Sequence, residues 1–155
     1  MTDYKKKILK DISKELSEEF DRNFQRKAFF TRKWPARKHL NRKGTLLMVT
    51  GELRRSIRCR VDADSVTWET SAPYAAIHNY GGIVYVKPHH RTIHRKDCNG
   101  KDKAIRQQVK GYSYKMPRRQ FIGDHPQVRK AAEAIINRNL QKAAEDIVKR
   151  LKVKL

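Results

Sequence analysis

The residues with the most chemical reach in this chain are histidines, two cysteines and an unusual load of lysine and arginine. His89, His90, His94 and Cys98 lie close enough in sequence for imidazole and thiolate to share a zinc ion. Their spacing argues against it. Structural zinc sites usually pair ligands about two to four residues apart on both sides of a turn, and the surrounding lysines and arginines oppose a cation. The adjacent His89 and His90 also lack the intervening apolar residue of the two-histidine motif in tyrosine relaxases, so Tyr112 and Tyr114 read as strand residues. His78, beside Asn79, could act as a general base. No Ser, Cys or carboxylate is arranged to work with it, which favours a hydrogen-bonded structural histidine. Asp62 and Asp64 flank a turn, while Glu145 and Asp146 are neighbours on a helix and point about 100° apart. Neither a phosphate-cradling glycine loop nor a nucleophile motif occurs. No catalysis, cofactor or metal is expected.

The chemistry that the sequence does carry is cationic. Lys and Arg number 37 against 16 Asp and Glu, for a formal charge of +21, and such a chain repels itself unless an anionic partner offsets the charge. Between Lys87 and Arg119 there are eleven basic residues against Asp97 and Asp102, a net +9. That exceeds what solubility requires. Lys87, Arg91, Arg95, Lys96, Lys101, Lys103, Arg106 and Lys110 are the candidates for contact with DNA phosphates, independent of base sequence, or with an acidic protein face.

Elements must position these groups. The 155 residues suit a single domain, and with 38% hydrophobic residues the core has to come from a few well-patterned segments. Ile8, Ile12, Leu16, Phe20 and Phe24 recur every four residues and predict one amphipathic helix from Tyr4 to Phe24, about 30 Å long. Arg22 to Lys43 holds nine basic residues and Trp34-Pro35, and reads as an extended or loop segment. Ser56 to Val61 and Ser65 to Thr70 alternate in polarity around Asp62-Ala63-Asp64, which predicts a β-hairpin. Pro73 to Tyr80 reads as a short helical turn stopped by Gly81-Gly82, and Ile83 to Val86 as a further strand.

Residues 87–115 have few apolar groups and read as a long basic loop or arm, with Tyr112 and Tyr114 starting its return strand. Asp124, Pro126 and Gln127 mark a helix start, with Asp124 as cap. Val128, Ala131, Ile135, Ala143, Ile147 and Leu151, with Ala132, Ile136 and Leu140 beside them, then predict a helix with a broad apolar face. The fold class is α+β: long N-terminal and C-terminal helices on a small antiparallel sheet.

Cys59 and Cys98 are better read as reduced thiols than as a disulfide framework. Met1 to Leu16 has no continuous apolar stretch, so the expected location is the cytoplasm where the chain is made.

The middle of the chain resembles the phage virion morphogenesis, or tail completion, family of Mu-like and related tailed phages. Leu47-Met48-Val49-Thr50-Gly51-Glu52-Leu53-Arg54-Arg55-Ser56-Ile57 is similar to the family's entry into its first strand. Ala72-Pro73-Tyr74-Ala75-Ala76-Ile77-His78-Asn79-Tyr80-Gly81-Gly82 is similar to the segment after its second, and Met116-Pro117-Arg118-Arg119-Gln120-Phe121-Ile122-Gly123 to the approach to its C-terminal helix. Phe24-Gln25 and Lys33-Trp34-Pro35 resemble its N-terminal region. Arg119-Gln120 departs from the family's commoner proline or arginine before phenylalanine, and the stretch from Lys87 to Lys115 lies outside its pattern.

The resemblance implies a structural protein that completes the tail or joins it to the head, acting as a ring of copies with other tail or connector proteins. Its location would be the host bacterial cytoplasm during assembly and then the virion. The motif residues Thr50, Gly51, Leu53, Pro73, Tyr74, His78, Asn79, Gly81, Gly82, Pro117, Arg118, Phe121 and Gly123 suit turns and packing rather than reaction. The rival reading is a basic nucleic-acid-binding module, motivated by Trp34, Tyr85, Tyr112 and Tyr114 lying among cations. A metal-dependent nuclease comes third.

Overall fold

A computed structural model describes residues 2–37, 44–96, 98 and 100–151. Lys38, Arg42 and Lys43 of the first basic stretch, and Asp97 of the second, lie outside the described residues. The first helix, α1, spans Thr2–Arg26 and buries Leu16, Phe20 and Phe24 along the predicted stripe. It runs past Phe24 into the segment expected to be extended. Arg22 pairs with Glu19 (2.5 Å) and Arg26 with Glu19 (2.9 Å), and these contacts support the last turns. Lys27 (φ 54°) and Phe30 (φ 53°) then fold the chain into a tight hairpin of β1 (Ala28–Phe29) and β2 (Arg32–Lys33).

A short helix α2 (Glu52–Ser56) leads into the predicted hairpin, β3 (Ile57–Val61) with β4 (Val66–Thr70), in which Cys59 stands opposite Trp68. Trp68 turns towards α1, where its ring meets Phe20 edge-on at 5.3 Å and its Nε1 donates to Ser17 Oγ at 2.9 Å. After α3 (Ala75–Tyr80), β5 (Gly82–Val86) pairs with β8 (Tyr112–Met116), the return strand foreseen at Tyr112 and Tyr114.

Between β5 and β8 lies a difference from expectation. Most of the predicted basic loop is regular structure: β6 (His89–Lys96) and β7 (Asp102–Val109) form an antiparallel ribbon with eight paired positions from His89↔Val109 to Lys96↔Asp102. Ile93 faces Ile105, and the β-branched Thr92 and Val109 support extended backbone. Dense charge hides this alternation in the sequence. Among the described residues the strands form four separate two-stranded antiparallel sheets instead of one.

The last helix, α4 (Pro126–Arg150), begins with Pro126 as predicted, but His125 and not Asp124 caps it. The His125 ring stacks on Phe30 at 4.8 Å, which aims Nδ1 at the Gln127 amide (3.1 Å), while Asp124 is drawn to the Arg129 guanidinium. α4 packs antiparallel on α1: Val128 and Ala131 meet the Leu16 and Phe20 cluster, and Asn139 Nδ2 donates to Asp11 at 3.0 Å. Only the first half of its predicted apolar face is covered. Ile135 is buried, whereas Leu140, Ile147, Val148 and Leu151 are exposed.

The core forms around two clusters. Phe24, Trp34, Leu53, Ala72, Ala75 and Phe121 make one; Leu16, Phe20, Phe29 and Phe30 make the other, and Ile122 touches both. No described helix is long and apolar enough to cross a membrane.

Candidate functional site

The three motif segments, far apart in sequence, meet around Asn79 and Phe121. Asn79 is buried, and its Oδ1 accepts from the backbone amides of Phe121 (2.9 Å) and Ile122 (3.3 Å). The Arg119 amide donates to the His78 carbonyl at 2.7 Å. Leu53 and Phe121 share the first core cluster, so the segments containing Thr50 to Leu53, Pro73 to Gly82 and Pro117 to Gly123 are packed as a unit. Gly81 needs to be glycine. At φ +74° and ψ −177° its backbone is closed to other residues, and a Cβ there would lie 2.9 Å from the Arg118 nitrogen. Thr50 Oγ1 accepts from the Glu52 amide (3.3 Å), Gly51 (φ +72°) opens α2, and Gly123 (φ +131°) precedes α4. Pro73, Gly82 and Arg118 are exposed, while Pro117 is half-buried.

Beside this junction lies a cleft of about 350 Å³ lined by Thr50, Glu52, Leu53, Tyr74, His78 and Arg119, among others. Its titratable groups do not form a relay among the described residues. The Tyr74 ring stands edge-on to His78 at 6.0 Å, and His78 Nδ1 is buried without a hydrogen-bond partner among the described residues. The hydrogen bond expected of this side chain is thus not made at Nδ1 among the described residues. Burial, and then the charge of Arg119, push its pKa below the usual imidazole value. Arg119 is itself only 6% exposed. Its Nε donates to the Pro35 carbonyl (3.0 Å) and Nη2 to that of Ala36 (3.1 Å), tying the Trp34-Pro35 segment to the third motif. It therefore leaves the set of residues free to meet phosphate.

The remaining cations are displayed outward. On β6 and β7, Arg91, Arg95 and Lys103 share one face, and Lys96 and Arg106 the other. All are exposed, and none of these five pairs with a carboxylate among the described residues. Lys101, in the turn, and Lys87 and Lys110, at the foot of the ribbon, are exposed too. His89 and His90 leave the strand on opposite faces, and no group of three or more His, Cys, Asp or Glu gathers among the described residues.

Asn23 matters to the junction, although the sequence reading passed over it. It is fully buried, with Nδ2 donating to the Phe121 carbonyl (3.1 Å) and Oδ1 accepting from the Phe30 amide (3.0 Å). Its position next to Phe24 on the buried stripe was the available signal. Trp34 adds a bond from Nε1 to the Gln120 carbonyl at 2.6 Å.

No curated protein and no solved structure matches the chain. A model of the phage virion morphogenesis family matches residues 2–141, nearly the whole of the chain and all three motif segments that meet at Asn79 and Phe121. The chain belongs to the phage virion morphogenesis family.

Proposed function

We propose that this protein is a structural component that completes the phage tail or joins it to the head, working as a ring of copies rather than as a catalyst. Family membership supports a role in building the virion. The observation that carries the finer reading is apolar surface left bare on the single chain. Leu140, Ile147, Val148 and Leu151 on the second half of α4 are exposed, as are Tyr80, Ile83 and Tyr85 around β5. A monomer seldom keeps such groups of apolar side chains in water unless they serve an interface. The motif segments, by contrast, bond to one another through Asn79 and the backbone of His78, which suits a scaffold.

The deciding experiment is removal of the gene from its phage genome, with a plasmid copy for rescue. The expected result is normal heads with unfinished or unattached tails in electron micrographs. Intact infectious particles in the deletion would defeat the proposal.

A further inference from the structure

We infer that the β6–β7 ribbon binds duplex nucleic acid through the phosphate backbone. Two observations carry this independently of ring formation. The first is that Arg95 stands directly opposite Lys103 in the ribbon register. Like charges facing each other across two strands destabilise the pair, and an anion bound between them removes that cost. The second is that cations occupy both faces of the ribbon, Arg91, Arg95 and Lys103 on one and, with Asp102 opposite Lys96, Lys96 and Arg106 on the other. A protein surface covering one face leaves the other face's charge unmatched. The two backbones that border a groove present phosphate on both sides.

The dimensions agree. The major groove of B-form DNA, about 12 Å wide, admits a two-stranded ribbon. Between His89 and Val109 the only aromatic rings are those of His89, His90 and His94, with no Phe, Tyr or Trp, so it is the fit of the ribbon to the groove that favours duplex.

Self-docking is the main competitor, and the net charge of +21 on each copy argues against it. Glu15 pairs with Arg138, Glu19 with Arg22 and Arg26, Asp21 with Arg54, Asp64 with Lys5 and Asp124 with Arg129. The carboxylates that make no ion pair among the described residues, such as Glu52, Glu69, Glu133, Glu145 and Asp146, are far outnumbered by the cations of the same copy, 16 acidic against 37 basic residues in the sequence.

The test uses the full chain and a fluorescein-labelled duplex of about 20 base pairs and arbitrary sequence, followed by anisotropy between about 50 and 200 mM salt. One variant carries Arg91→Gln, Arg95→Gln, Lys103→Gln and Arg106→Gln. The control carries Lys6→Gln, Lys7→Gln, Lys10→Gln and Lys14→Gln on the exposed side of α1, so both lose the same charge. Circular dichroism checks that each stays folded. The expected result is that the ribbon variant loses about three to four units of log–log salt slope, and on the order of a hundredfold of affinity at the low-salt end, while the control changes little. Equal loss in both variants would reduce the binding to diffuse surface charge and overturn the inference. So would no binding at about 50 mM salt, or displacement of the duplex by polyglutamate as readily as by unlabelled duplex, which would assign the ribbon to an acidic protein.

Discussion

Asn23 and Phe121 are joined by a hydrogen bond across the centre of the molecule: the amide of a fully buried side chain on α1 donates to the carbonyl of the third motif at 3.1 Å. The same side chain accepts from the Phe30 amide. Asn23→Ala removes both partners at once and leaves two buried backbone groups unsatisfied. We expect a loss of about 2–4 kcal/mol in urea unfolding. A change below about 0.5 kcal/mol would mean that water reaches these groups and that the bond is dispensable.

Gly81→Ala is expected to cost about 2–3 kcal/mol or more, because the backbone conformation is unfavourable to any side chain and the added carbon meets the Arg118 backbone. Gly100→Ala is a matched comparison in the turn of the ribbon, also at positive φ (+77°) but with open space around it, and should cost less. Equal unfolding midpoints for the two variants would remove the close approach as the cause.

His78 gives stability a pH dependence whose sign is fixed. Its folded-state pKa lies below the ordinary value of 6.5, first through burial and then through Arg119. Above the unfolded pKa both states are neutral at this site and its stabilising contribution is complete. As pH falls, the unfolded chain takes up a proton that the folded chain resists, so stability declines until the folded pKa is passed. His78→Phe should flatten the difference between urea midpoints at about pH 7.5 and about pH 5 relative to the parent. An unchanged difference would place the titration elsewhere.

The bare half of α4 can be tested without disturbing the core. Ile147→Glu with Val148→Glu alters two exposed residues, so the monomer's stability should change by under about 0.5 kcal/mol each. Self-association in sedimentation velocity should weaken at equal concentration. If the variant assembles like its parent, this face is not the contact between copies.

The sequence made α1, α4 and the β3–β4 hairpin legible because their apolar positions follow the periods of helix and strand, whereas α2, at the entry to β3, was not read from it. Phe20 and Phe24 are buried where the four-residue stripe places them, and Trp68 lies on the inner side of its strand. The β6–β7 ribbon was not legible as structure. Its pairing rests on Ile93, Ile105 and backbone bonds, while Arg, Lys and His fill eight of the sixteen strand positions and mask the alternation. Two polar residues were equally opaque. Asn23 and Arg119 look like surface groups in the sequence, and only the backbone atoms brought to them from about ninety positions away explain their burial. The end of the apolar stripe on α4 predicted burial that the chain does not provide, because hydrophobic spacing states which face wants covering and not which molecule covers it.

The ribbon stands beyond the pairing of β5 with β8, set off from it by Lys87-Pro88 on one side and Lys110-Gly111 on the other. Its eight paired positions reach about 25 Å. Tilting its foot by about 10° swings a tip at that distance through about 4 Å. A side chain added at Gly111, which lies close against Pro88, therefore alters where a row of positive charge is aimed.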